Sequence, residues 1–166
     1  MAIFKPNRIV CRVFDITPDM LRQMGVKGIV LDVDNTLSTH HAQQPLGGVA
    51  EWLDLMRAEG IGLVILSNAR SSRVQPFAAL LGLDFISLGL KPLPFGVNRA
   101  VRRLGLPKSQ VILVGDQLFT DILGANLTGV RGVLVEPAQA EYGWSFKLRR
   151  RAERPLIEKY KKDGAR

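Results

Sequence analysis

The chain has 166 residues, 46% of them apolar, which is enough for one domain with its own core and no disulfide staples. Cys11 is the only cysteine, which excludes an intrachain disulfide and a thiolate zinc site. The first residues, Met1 to Asn7, lack the apolar core of a signal peptide, and apolar runs such as Ile61 to Leu66 are too short to cross a bilayer. The net charge of +8 is lopsided, because residues 142–166 hold nine Lys/Arg against three Asp/Glu, a net of +6. These features predict a single domain over residues 1–166 with a basic C-terminal segment at about 142–166. The predicted setting is reducing and cytoplasmic, or peripheral on the inner face of a membrane.

In chain order, Thr17-Pro18 to Gly25 has a threonine cap, a proline at the first helical position and a closing glycine, the grammar of a short helix. Gly28 to Leu31 reads as a buried strand running into Asp32-Val33-Asp34-Asn35-Thr36-Leu37. After a polar stretch through Gln44, the residues Val49, Leu53 and Met56 repeat at helical spacing between Leu46 and Glu59, and Gly60 ends that helix. Ile61 to Leu66 is a second apolar strand, broken by Ser67-Asn68-Ala69-Arg70. A helix around Pro76 to Leu81 stops at Gly82, and Leu83 to Ser87 is a third strand. Pro94 to Leu104 is an amphipathic helix, with Val97, Val101 and Leu104 on one side and Asn98, Arg102 and Arg103 on the other. Val111 to Val114 is a fourth strand, Asp121 to Leu127 a helix closed by Gly129, and Gly132 to Val135 a fifth strand. Short apolar strands that alternate with helices, without an in/out alternation of their own, predict an α/β fold. It is a three-layer, doubly wound parallel sheet of five strands.

Such sheets bind ligands beyond the carboxyl ends of their strands. Four polar marks follow the strands: Asp32 and Asp34, Ser67 and Asn68, Lys91, and Asp116 with Asp121. Paired carboxylates at the end of a buried strand are costly, and they ask for a cation and an anionic substrate. A calcium loop is a poor alternative, since Leu37 stands where such a loop needs glycine and no glutamate closes it. Taken alone, Ser67 reads as a turn residue, Lys91 as a surface lysine, and Asp116 and Asp121 as a helix cap and a first-turn acid. Their placement after successive strands joins them into one site.

In that order the marks Asp32-Val33-Asp34-Asn35-Thr36, Ser67-Asn68, Lys91-Pro92 and Gly115-Asp116-Gln117-Leu118-Phe119-Thr120-Asp121 resemble the motifs of the haloacid dehalogenase superfamily of phosphohydrolases, subfamily IIIA. The resemblance implies Mg²⁺ held by Asp32, the Asp34 backbone carbonyl and Asp116, with Asp121 in support. It makes Asp32 the nucleophile, already ionised at neutral pH, and Asp34 the acid and base. Ser67, Asn68 and Lys91 become the phosphate-binding residues, and Thr36 a supporting one. Only a loop and one helix fit between Leu37 and Ile61, and one helix and one strand between Ser67 and Lys91, so no cap domain is expected. An open site must be covered by a large substrate, an oligomer or a membrane-borne headgroup.

The lead-in Ile16-Thr17-Pro18 to Gly25, the run Lys27 to Leu37, Leu66-Ser67-Asn68 and Ala79-Leu80-Leu81-Gly82 are further similar to the small capless YqeG-like group, related to mitochondrial phosphatidylglycerophosphate phosphatases. That implies removal of the terminal phosphate from phosphatidylglycerophosphate. In the basic segment, Trp144, Phe146 and Leu148 interleave with Lys147 and Arg149 to Arg151, a composition suited to an anionic membrane surface. The same segment also reads as a solvated face or a helix docked on the sheet. If it is an appendage, deleting it spares turnover of a soluble phosphate ester and weakens action on vesicles. Two other readings stand beside this one: a nucleic-acid end phosphatase whose tail tracks a phosphate backbone, and a non-catalytic RNA- or membrane-binding module. His40, His41, Arg70 and Arg73 receive no role from the sequence.

Overall fold

The computed structural model describes residues 2–39, 42–139 and 144–164. Its central strands are short and apolar because they are covered on both sides. They are β1 (Arg8–Val10), β2 (Gly28–Leu31), β3 (Gly62–Leu66), β4 (Asp84–Ile86), β5 (Val111–Gly115) and β6 (Arg131–Val135). All pair in parallel, in the order β1-β6-β5-β2-β3-β4. The sheet thus has six strands and not five. The extra one, β1, is a three-residue edge strand beside β6, too short to announce itself by pattern and defined only by its pairing partner.

The helices are α1 (Pro18–Met24), α2 (Val49–Ala58), α3 (Ser71–Leu81), α4 (Pro94–Leu104), α5 (Leu123–Thr128) and α6 (Trp144–Lys162). Alternate strand residues feed opposite layers, as period-two geometry requires. Ile29, Leu31, Ile65, Ile112 and Val114 meet α1, α2 and α3 through Leu21, Leu53, Met56, Phe77 and Ala78. Val30, Val64, Leu66 and Leu113 meet α4 and α5 through Val97, Ala100, Val101 and Ala125. Between Leu37 and β3 the described residues form a loop and α2, and between Ser67 and Lys91 they form α3 and β4, so no cap covers the sheet edge.

Two segments depart from the sequence reading in ways that shape the site. The helix expected to begin at Asp121 is preceded by a π-helical turn over Leu118–Ile122, which places Asp121 inside the turn and buries it. The basic segment is no appendage. In α6, Tyr160 is buried with Ile9, Leu118, Ile122 and Leu134, with Leu156 and Ile157 packed beside them, and Glu153 is fully buried. Phe4 meets Phe119 edge to face, with ring centroids 5.3 Å apart, and seals the same corner.

Candidate active site

β2 lies between β3 and β5 and ends where the chain direction of the sheet order reverses, the place where parallel sheets open a crevice. Asp32 is the first residue past β2, tied by its N–H to the Val114 carbonyl at 2.9 Å. Ser67 and Asn68 follow β3, Lys91 lies in the loop between β4 and α4, and Asp116 follows β5. Asp32, Asp34, Ser67, Asn68, Lys91, Gln117, Thr120 and Asp121 line one cleft of about 80 Å³.

Lys91 joins its two walls. Its ammonium lies 2.6 Å from Asp32 Oδ1 and 2.6 Å from Asp121 Oδ1, and the side chain is almost wholly buried. Burial pulls the lysine down, but Asp121 and Asp32 outweigh it and hold its pKa above the ordinary range. Asn68, expected among the phosphate-binding residues, spends both ends of its amide on Lys91: Nδ2 donates to the Lys91 carbonyl at 3.0 Å and Oδ1 accepts from the Lys91 N–H at 2.8 Å. Its side chain therefore positions the lysine, with one amide N–H left over on the cleft side. The Ser67 hydroxyl accepts from the Ala69 N–H at 3.1 Å, a turn contact that leaves its own proton available.

Asp32, Asp116 and Asp121 form a buried acidic trio in which one ligand atom from each lies within 4.8 Å of the other two. Burial pushes the Asp32 carboxyl up to about 7, against the pull of Lys91 and with Asp121 adding to the rise. Burial likewise raises Asp116 well above the usual carboxylate range, against Arg150. Gly115 makes room for this crowding, since a Cβ there would come within 2.3 Å of Asp121 Cγ. Asp116 Oδ1 is buried and finds no hydrogen-bond partner among the described residues. Three carboxylates, one with an oxygen left over, form an all-oxygen donor set that fits Mg²⁺, which takes few protein ligands. The Asp34 side chain stands outside the trio and pairs with Arg73 of α3.

Thr36 faces elsewhere. Its buried Oγ1 has no partner among the described residues, and it lines a separate cavity of about 420 Å³ with Cys11, Phe14 and Pro137. His40 and His41 lie outside the described residues.

The contributions that the sequence does not reveal come from α6. Arg150 forms an ion pair with Asp116 Oδ2, donates to the Asp116 carbonyl at 2.6 Å and lies 3.1 Å from Glu153 Oε2. Glu153 also accepts from the Phe119 N–H at 3.2 Å, and Arg149 donates to Gln117 Oε1 at 2.5 Å. Read as charge, these arginines belong to a basic run. The signal that could single out the pair is Glu153 itself, three residues after Arg150 in a run otherwise short of acids.

A family model described as haloacid dehalogenase-like hydrolase matches residues 38–129. The probable phosphatase YqeG of Bacillus subtilis is 37% identical over 161 residues, covering 97% of this chain and 94% of that protein. Phosphatidylglycerophosphate phosphatase 1, chloroplastic/mitochondrial, of Arabidopsis thaliana is 28% identical over 157 residues. That match covers 88% of this chain but 45% of the plant protein, so the chain spans about half of that relative's length. The fold is that of 4-nitrophenylphosphatase from Thermotoga maritima, with a TM-score of 0.61 at 13% identity over 71% of this chain and 88% of that one.

Proposed function

We propose, for a chain that belongs to the haloacid dehalogenase-like hydrolases and is one of their phosphatases, that it hydrolyses a phosphomonoester through a phosphoryl group carried on Asp32, with phosphatidylglycerophosphate as substrate. The observation that carries the chemistry is the convergence of Asp32, Asp116 and Asp121 on one another with Lys91 across them. A phosphate monoester brings about two negative charges, so an anionic nucleophile reaches it only where cations offset the repulsion. Mg²⁺ held by Asp32, the Asp34 carbonyl, Asp116 and Asp121 would supply part of that offset and keep Asp32 ionised despite its burial.

The chain's own groups then divide the work. The Asp32 carboxylate attacks phosphorus, the ester P–O bond breaks, and Asp34 gives its proton to the departing alkoxide oxygen. Asp34 next takes a proton from water, whose oxygen attacks the same phosphorus, releasing inorganic phosphate and restoring the Asp32 carboxylate. Lys91 neutralises charge on Asp32 and the phosphoryl oxygens, the Ser67 hydroxyl and nearby backbone N–H groups bind those oxygens, and Asn68 keeps Lys91 in place. The Arg73 ion pair has to open for Asp34 to carry its proton, and Thr36 supports the turn only through its backbone N–H, which donates to the Val33 carbonyl.

Three observations support a lipid-borne substrate: an uncapped cleft, the likeness to the Arabidopsis phosphatidylglycerophosphate phosphatase, and a basic helix at the site. No helix among the described residues is long and apolar enough to cross a membrane, so such a substrate would be reached from the membrane surface. The test is a phosphate-release panel of phosphatidylglycerophosphate, 3′-phosphorylated oligonucleotides and small sugar phosphates, with Mg²⁺ and with EDTA. Metal-dependent release fastest from the lipid is the expected result. Preference for the oligonucleotide or a sugar phosphate removes the lipid assignment and leaves the chemistry, and release unaffected by EDTA removes the metal.

A further inference from the structure

Ten large apolar side chains are exposed among the described residues, and four of them, Leu88, Leu90, Leu93 and Phe95, fall within eight positions, in the loop before α4 and its first turn. Scattered exposed apolar residues are ordinary, but a concentrated set marks a contact surface. This loop is the one that delivers Lys91 to the cleft. Gly89 and Lys91 turn inward: the Gly89 N–H binds the Ser67 carbonyl at 2.9 Å and Lys91 is buried, while Leu88 and Leu90 beside them are each 56% exposed. Gly96, where a Cβ would lie 2.1 Å from the Gly89 carbonyl oxygen, clamps the loop against α4.

Leu88 and Leu90 are costly where they stand. Their φ angles of 48° and 55° lie in the left-handed region, which glycine and asparagine adopt readily and leucine does not. More than half of each side chain stays uncovered in return, so what they offer is directed outward. Next to them, α4 exposes Phe95, Arg99 and Arg102 at helical spacing along one face. Asp84 balances Arg103 alone, and among the described residues no carboxylate lies in ion-pair reach of Arg99 or Arg102. α6 reaches the same sheet edge, where Arg149 and Arg150 meet Gln117 and Asp116, and its first turns carry exposed Trp144 and Leu148.

We infer that this edge docks on an anionic bilayer, with Leu88, Leu90, Leu93 and Phe95 inserted among the lipids and Arg99 and Arg102 at headgroup depth, so that the membrane itself covers the open cleft. Apolar side chains backed by arginines match the two layers of such a surface, hydrocarbon beneath phosphate. The net charge of +8 opposes a second copy of the chain and favours an anionic partner. The choice of a bilayer rests on the lipid-phosphate reading above.

The test uses the full chain with Mg²⁺ and two variants, Leu88→Asn with Leu90→Asn, and Phe95→Ser. Asparagine suits the left-handed positions, so the first variant should fold at least as stably as the parent. Co-sedimentation is measured with phosphatidylglycerol/phosphatidylcholine vesicles and with phosphatidylcholine alone. The expected result is binding to the anionic vesicles only, weakened roughly thirty-fold by the paired leucine substitutions, with p-nitrophenyl phosphate turnover unchanged. Retained vesicle binding in both folded variants overturns the inference, as does a concentration-dependent dimer, seen by sedimentation velocity, that the substitutions abolish. If the variants lose vesicle binding but the parent releases no phosphate from phosphatidylglycerophosphate, the docking face stands and the substrate falls. If lipid phosphate is released while vesicle binding is unchanged by the substitutions, the substrate stands and the docking face falls.

Discussion

Replacing Lys91 by methionine tests the site most directly, because the methionine keeps the stem and removes the cation that bridges Asp32 and Asp121. Each of its contacts, at 2.6 Å to Asp32 and 2.6 Å to Asp121, corresponds to roughly 6 kcal/mol of Coulomb attraction at an effective dielectric constant of about 20. Desolvation takes back most of that, and breaking a buried pair by removing one partner typically costs about 3–5 kcal/mol. For a chain of this size the loss lowers the melting temperature by roughly 10 °C. The assay is a pair of thermal melts at pH 8, one in EDTA and one in saturating Mg²⁺. In EDTA the full loss should appear, because two buried carboxylates face each other unpaired. In Mg²⁺ it should shrink markedly, since a divalent ion on Asp32, Asp116 and Asp121 replaces the missing charge, while turnover remains about a thousand-fold down for want of the phosphoryl-neutralising group. An equal loss in both media would refute the claim that these acids share an ion, and a loss below about 1 kcal/mol would place Lys91 outside the buried network.

Asp32→Asn should abolish turnover, by at least roughly a thousand-fold, while the protein stays folded and still binds substrate; substantial residual activity would replace the covalent route with direct attack by water. Asp32 is raised from 3.8 to about 7, and Asp116 is raised too, so between about pH 4 and pH 7 the folded metal-free protein holds more protons than the unfolded chain. The stability these groups contribute is present below pH 4 and lost as the pH rises through 7. The urea midpoint in EDTA should fall on that account between pH 5 and pH 8, and Mg²⁺ binding at pH 6.5 should release protons, measured by calorimetry in buffers of different ionisation enthalpy; metal binding without proton release contradicts this. Gly115→Ala should push Asp121 aside and weaken Mg²⁺ binding roughly ten-fold or more, and unchanged affinity would show that Asp121 is not a ligand. Ending the chain at Gly143 removes Arg150, Glu153 and Tyr160, so it should cost about 3 kcal/mol or more and impair even p-nitrophenyl phosphate turnover, the opposite of what the composition of that segment predicts. Intact soluble-substrate activity in that truncation would show that the contact between α6 and Asp116 is dispensable.

What could be read from residues alone was whatever short-range physics governs. A buried parallel strand must be a short apolar run, and a polar residue where such a run stops has few reasons to be there. Asp32, Ser67, Lys91, Asp116 and Asp121 were therefore legible in order, and parallel pairing alone puts the carboxyl ends of their strands on one edge. The sixth strand was not legible, because three residues form a strand only when β6 offers its edge. The part played by Asn68 was hidden for a related reason: an amide's partners depend on which backbone lies opposite, and here that is Lys91, twenty-three positions away. Arg150 and Glu153 mark the same limit. Composition counts them as one cation and one anion in a basic run, whereas the packing of Tyr160 on Ile9, Leu118, Ile122 and Leu134 brings that run back onto Asp116 and makes it part of the site. Local sequence determined which side chains could do chemistry, and only tertiary structure decided which charges met, because ion pairing between distant residues is set by how the layers pack and not by the residues that precede or follow.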